Sequence, residues 1–191
     1  HGRLSARDFP VTTPDQAAGW TLAALTGWWN GVTTGDFDGD GRLDIIASNW
    51  GLNSGYEASP QHPAEVYYGD LGGTGLVDVV EAEYEPELGA VAPRRYRDPL
   101  MAAMPFIGGR FPTHKAFSEA TLEAVLGEAK ARARVVRATT LASRVFLNRG
   151  DHFEAAPLPA EAQFAPAFGV VVADFDGDGA EDVFLSQNFF A

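Results

Sequence analysis

The stretch Asp36-Phe37-Asp38-Gly39-Asp40-Gly41-Arg42-Leu43-Asp44 returns later in the chain as Asp174-Phe175-Asp176-Gly177-Asp178-Gly179-Ala180-Glu181-Asp182, and its reading decides what this protein is. Each copy packs four aspartates into one tight turn. Like charges held about 5 Å apart repel by about 1–3 kcal/mol per pair at dielectrics between those of water and a protein surface, so a fold that closes such a loop calls for a compensating cation. The pattern reads as a calcium site.

A hard cation takes six to eight oxygens, and a loop supplies them from alternate, inward-turning positions. In the first loop these are the side chains of Asp36, Asp38, Asp40 and Asp44 with the backbone carbonyl of Arg42. In the second they are Asp174, Asp176, Asp178 and Asp182 with the carbonyl of Ala180. Gly39 and Gly41 supply the positive φ angles of a sharp turn, and water completes the shell. Two other readings compete. Asp and Gly also build plain hairpin turns in which the carboxylate bonds only to local backbone. An EF-hand would need a bidentate Glu at its twelfth position, where Ala47 and Leu185 stand, and helical flanks.

The flanks are instead β-rich. Gly31-Val32-Thr33-Thr34-Gly35 and Leu43-Asp44-Ile45-Ile46-Ala47-Ser48 bracket the first loop; Phe168-Gly169-Val170-Val171-Val172-Ala173 and Asp182-Val183-Phe184-Leu185-Ser186 bracket the second. Short apolar runs of this kind read as strands, so each loop joins the two strands of an antiparallel hairpin. A weaker third copy runs from Asp70 to Asp78 with Gly72 and Thr74 in place of the third- and fifth-position carboxylates, and no tight site is expected there. The copies start at Asp36, Asp70 and Asp174, spacings of 34 and 104 residues. Small antiparallel sheets repeated every ~40–50 residues signal a propeller or solenoid, and the long gap must hold extra structure.

That gap predicts a short helix at 97–104, with Asp98 as N-cap and Pro99 at its first position. After Ser118, Leu122, Val125, Leu126 and Ala129 share one helical face, and Gly127 divides the segment into one helix or two. Strands are expected again at about 133–139 and 142–148, before the turn Asn148-Arg149-Gly150-Asp151. The domain reading is a single mainly β propeller segment over 1–191 with a helical insertion at about 97–132. The chain opens at His1-Gly2-Arg3 and is expected to be a segment of a longer protein, whose further blades, or a second copy, would cap its apolar ends.

With 46% hydrophobic residues the chain can bury a sizeable core, and it contains no apolar run of membrane-spanning length. Net charge is −12, the opposite of a nucleic-acid footprint. No cysteine is present, which removes disulfides, thiol catalysis and cysteine-based zinc sites from consideration.

Taken together, Val172-Ala173-Asp174-Phe175-Asp176-Gly177-Asp178-Gly179 after Phe168-Gly169 resembles the FG-GAP or VCBS repeat of integrin-like β-propellers. The wider set Gly27-Trp28-Trp29-Asn30-Gly31, Asn49-Trp50-Gly51-Leu52-Asn53, Tyr67-Tyr68-Gly69-Asp70 and Leu147-Asn148-Arg149-Gly150 extends the likeness, to bacterial exported VCBS-repeat proteins, over most of 20–191. Members usually carry fuller aspartate loops than the one at 70–78. The resemblance implies calcium loops at blade rims, an extracytoplasmic location, and a non-catalytic role in adhesion, assembly or binding of a protein or carbohydrate ligand.

The competing class is a calcium-dependent carbohydrate-active enzyme of polysaccharide-lyase type, or a carbohydrate-binding propeller. Arg94-Arg95-Tyr96-Arg97 is where a lyase's basic groups would be sought, against a solvated basic turn beside the acidic stretch 81–87. His1, His62, His114 and His152 match no zinc or triad spacing. Trp20, Trp28, Trp29 and Trp50 read either as core packing between blades or as a sugar-stacking platform.

Overall fold

The computed structural model describes residues 5–14 and 16–188. The first compact unit comprises residues 1–56 and 140–191, the second 57–139. The fold is mainly β, with 35% strand against 20% helix, and its several sheets do not close into a barrel. No helix among the described residues is long and apolar enough to cross a membrane.

In chain order the strands and helices are β1 Pro10–Thr13, β2 Gln16–Thr21, β3 Gly31–Gly35, β4 Asp44–Ser48, β5 Ala64–Gly69, β6 Asp78–Glu85, β7 Ala90–Pro93, α1 Arg97–Ala103, α2 Phe106–Arg110, α3 His114–Ser118, α4 Leu122–Leu126, β8 Arg134–Ala138, β9 Arg144–Asn148, β10 Phe153–Pro157, β11 Ala167–Ala173 and β12 Asp182–Gln187. The first unit holds a six-stranded sheet in the order β2-β1-β10-β9-β4-β3 and the separate hairpin β11-β12. Its pairings are antiparallel except for β1 against β10. Each aspartate loop does join two antiparallel strands, β3 to β4 and β11 to β12.

Every second residue of β4 goes to one face of the sheet. Ile45 and Ala47 lie with Phe146, Trp29 and Leu25 in one apolar cluster, which also gathers Val11, Phe153, Phe9 and Trp20. Ile46 and Ser48 lie on the other face, where the β11-β12 hairpin stacks: Ser48 Oγ donates to the Ala167 carbonyl at 2.7 Å. The stack is close because Gly31 carries no side chain. A Cβ there would lie 3.2 Å from Val170 Cγ2 and 3.0 Å from Ser48 Oγ. Asn49, fully buried at the end of β4, donates from Nδ2 to the Thr140 carbonyl at 3.1 Å and accepts the Trp50 N–H at 2.8 Å.

The second unit has its own core. The sheet β7-β6-β5-β8 presents Tyr67, Val80 and Ala82 to helices that contribute Leu100, Met104, Ile107, Phe117, Leu122, Val125 and Leu126. The compact unit carrying the helices is therefore wider than the 97–132 insertion, and includes four strands of its own. Helical structure does run from Arg97 to Arg132, and after Gly127 (φ +52°) it continues as a short 3-10 segment, so Gly127 divides two pieces. Arg110 Nη1 donates to the carbonyls of Ala124 and Val125, both at 3.1 Å, and so satisfies the end of α4 that Gly127 leaves open.

The cap of α1 departs from expectation. Tyr96 is the N-cap, Asp98 lies within the first turn, and Pro99 is the third helical residue. Proline is tolerated there because the first-turn N–H groups have no intrahelical acceptor. Asp98 instead accepts from Arg97 Nη1 at 2.9 Å. The two later strands are shorter than predicted, at Arg134–Ala138 and Arg144–Asn148.

At one end of the second unit's core, buried Glu65 accepts the Tyr67 hydroxyl at 2.7 Å and Arg137 Nε at 2.6 Å. Burial first, then the neighbouring Glu65 carboxylate, pushes the Tyr67 phenol up to about 12. An unfolded phenol ionises near pH ~10, so the stability held in the neutral phenol is intact below that pH and is lost as pH rises through the folded value. An alkaline titration of tyrosine absorbance should therefore show a late component near pH 12 that Tyr67→Phe removes. Ionisation of all tyrosines in one step near pH ~10 would contradict the buried phenol.

Candidate metal centre

The three loops share one backbone plan. Gly39 and Gly41, Gly73 and Gly75, and Gly177 and Gly179 all take positive φ, between +72° and +89°. In each, the first aspartate accepts at least two backbone N–H groups across the turn, and Asp174 also takes that of Gly177 at 2.7 Å. Asp36 takes those of Asp40 at 3.0 Å and Gly41 at 2.9 Å; Asp174 takes those of Asp178 at 3.1 Å and Gly179 at 3.0 Å; Asp70 takes those of Thr74 at 2.8 Å and Gly75 at 3.1 Å. The last aspartate closes the turn from the other side, Asp44 Oδ2 accepting the Phe37 N–H and Asp182 Oδ2 that of Phe175, both at 3.0 Å. These bonds shape each turn from within, and in the first loop the oxygens they leave are taken by Arg149 at Asp38, Arg42 at Asp40 and the Asn148 N–H at Asp44.

Two carboxylate clusters result among the described residues. Asp36, Asp38 and Asp40 bring oxygens within 4.8 Å of one another, and so do Asp174, Asp176 and Asp182. Ligands of one Ca²⁺, each at about 2.3–2.6 Å, lie no more than about 5 Å apart, so both donor sets fit that ion by size and hardness. The predicted ligands Asp44 and Asp178 lie outside these groupings. Asp44 is fully buried, and its second oxygen, Oδ1, accepts the Asn148 N–H at 2.7 Å. Asp178 Oδ1 accepts the Ala180 N–H at 2.8 Å. The Arg42 and Ala180 carbonyls were expected on position in the loop; what the structure gives for both residues is their N–H bonds back to the fifth-position aspartate.

The first loop has neighbours that motif spacing did not predict. Arg149, in the turn between β9 and β10, reaches Asp38 at 2.5 Å and Asp40 at 3.6 Å, while Arg42 also pairs with Asp40. The Arg149 guanidinium, by hydrogen bonding above all, holds the Asp38 carboxyl below the usual carboxylate range. Glu181, from the second loop, accepts the Asp36 N–H, and a side chain at Gly35 would collide with that carboxylate. The signal for Arg149 lay in Leu147-Asn148-Arg149-Gly150, but a contact across more than a hundred residues has no local pattern.

At 70–78 the arrangement differs. Gly72 and Thr74 bring no carboxylate, Asp78 Oδ2 accepts the Gly72 N–H at 2.7 Å, and Arg132 donates to the carbonyls of Asp70 at 3.3 Å and Leu71 at 3.0 Å. Asp78→Asn should therefore leave calcium stoichiometry unchanged, as equilibrium dialysis would read. Loss of an ion in that variant would assign metal to this loop.

The other candidate residues fall into ion pairs and packing. Arg94 pairs with Glu83, Arg95 lies 3.7 Å from Glu81, and Arg97 donates to the Phe111 carbonyl at 2.7 Å; Arg95 and Tyr96 are exposed, whereas the Arg94 and Arg97 side chains are largely covered. His62 stacks flat on Tyr84, His114 faces Asp98, and His152 Nδ1 lies 2.7 Å from Asp151; His1 is outside the described residues. Trp20 and Trp29 pack against the first unit's core, whereas Trp28 and Trp50 meet Tyr56 edge to face, with centroids 4.8–6.4 Å apart. Rings that close fill one another's faces, and the four tryptophans do not form one platform. Comparison with protein-family models, curated proteins and solved structures finds no match to this chain.

Proposed function

We propose that this chain is a calcium-binding β-propeller module of FG-GAP or VCBS-repeat type, acting outside the cytoplasm in binding, adhesion or assembly and performing no catalysis. The observation that carries the reading is the paired loop geometry: two turns far apart in sequence share the same glycine conformations and internal hydrogen bonds, and each gathers three carboxylates within 4.8 Å. A plain Asp-Gly turn needs one carboxylate for its Asx bond; three converge in both copies, and although Arg149 and Arg42 offset part of the charge in the first, an ion would relieve the rest. When bound, Ca²⁺ supplies charge neutralisation and fixed coordination at the strand ends. Asp36, Asp38 and Asp40 would hold one ion and Asp174, Asp176 and Asp182 the other, with water to complete the shells.

The propeller reading is supported by the stacking of the β3-β4 hairpin on β11-β12 through Gly31, Val170 and Ser48, the close approach of one blade-like sheet on the next. Calcium titration calorimetry tests the proposal. Two binding events per chain are expected at millimolar or lower calcium; a titration without heat and without saturation would refute it.

A further inference from the structure

The internal repeat exposes an asymmetry at the C-terminal hairpin. Aligning Asp36–Asp44 with Asp174–Asp182 sets Ile45, Ile46 and Ala47 of β4 on Val183, Phe184 and Leu185 of β12. The outer edge of β4 is covered by β9 with Ile45 opposite Phe146, Ile46 opposite Val145 and Ala47 opposite Arg144. β12, in contrast, pairs with β11 alone among the described residues. The face differs as well: Ile46, under the stacked β11-β12 hairpin, is 2% exposed, and its counterpart Phe184 58%.

Three features at that edge match what β9 supplies to β4. Asp44 Oδ1 takes the Asn148 N–H, while Asp182 Oδ1 has no donor among the described residues. A groove of about 410 Å³ lies beside Val183 and Leu185, walled by Leu158, Pro159 and Ala162, on the face where a residue at the Phe146 register would point. Charge is also complementary. Glu161 lines the groove near the register of Arg144, and Asp176 and Asp178 stand where Asp38 and Asp40 receive Arg149.

We propose that the edge of β12 left open among the described residues is a β-augmentation site that takes, antiparallel, a protein segment of β9-like pattern: basic, apolar, aromatic, apolar, Asn, basic. Unpaired strand edges recruit extended segments through backbone bonds, and the groove and the acidic loop set which side chains are accepted. This inference rests on the internal repeat and not on the metal reading.

The probe is a synthetic peptide copying residues 142–157, carrying a fluorophore and, at the Val145 position, a photo-crosslinker, titrated with the whole chain. Saturable binding is expected, weakened about tenfold by Phe146→Asp in the peptide, which loses the buried ring, and by Leu185→Lys in the protein. Cross-links should map to 183–187. Cross-links confined to 44–48, where the peptide would merely displace β9, or equal binding of a scrambled peptide, would overturn the proposal. So would cross-linking of unmixed protein from one β12 to a second copy's β12 that excludes the peptide, which would assign the edge to self-pairing.

Discussion

Chelation of calcium should lower the melting temperature of this protein by roughly 10–20 °C, since each site held at a hundred times its dissociation constant adds about 2.7 kcal/mol to the folded state and each kcal/mol moves a domain of this size by about 2–4 °C. The effect follows from the two clusters of converging carboxylates, whose repulsion rises when the neutralising ion leaves. Differential scanning calorimetry with and without chelator reads it directly. Restoring calcium should restore the melting point, and magnesium at equal concentration should restore little of it, because Mg²⁺ demands a tighter octahedral shell than a carboxylate loop supplies. A melting curve indifferent to chelator would mean that the loops close on hydrogen bonds alone.

The second large effect is expected in the other unit. Ile107 is fully buried in the cluster that also holds Met104, Val125 and Leu126, and Ile107→Ala should cost about 2–5 kcal/mol through lost burial and the cavity left behind. Chemical denaturation would show this as an earlier transition. Because both aspartate loops lie in the first unit, the variant should keep its calcium stoichiometry below the transition. Loss of calcium binding in the folded variant would contradict this division of labour.

How far such features can be read from a sequence depends on how local their causes are. The hairpins around 36–44 and 174–182 were legible because β-branched flanks and Asp-Gly turns act within ten residues, and the strands at β3, β4, β11 and β12 lie where those runs predict them. At Gly127 the sequence left one helix or two open, and the structure decides for two pieces. The pairing of β4 with β9 was not legible, since the 57–139 unit separates the partners and only the finished sheet sets Ile45 opposite Phe146. The parallel pairing of β1 with β10 and the reach of Arg149 to Asp38 were hidden likewise. The α1 cap was misplaced because Asp98 found a nearer partner in Arg97, a choice between two local bonds that residue preference alone does not decide.

The candidate metal ligands divide along the same line. Asp36, Asp38, Asp40, Asp174, Asp176 and Asp182 converge as their spacing predicts, whereas Asp178 stays outside its group. Asp44 is drawn into the sheet by Asn148, a tertiary contact that loop spacing could not anticipate.

Native mass spectrometry of the whole chain and three variants tests the central claim most directly. The unaltered protein should carry two Ca²⁺, Asp38→Ala and Asp176→Ala one each, and the double variant none, because the two clusters share no ligand. An unaltered chain that carries no calcium, or variants that retain both ions, would contradict the account.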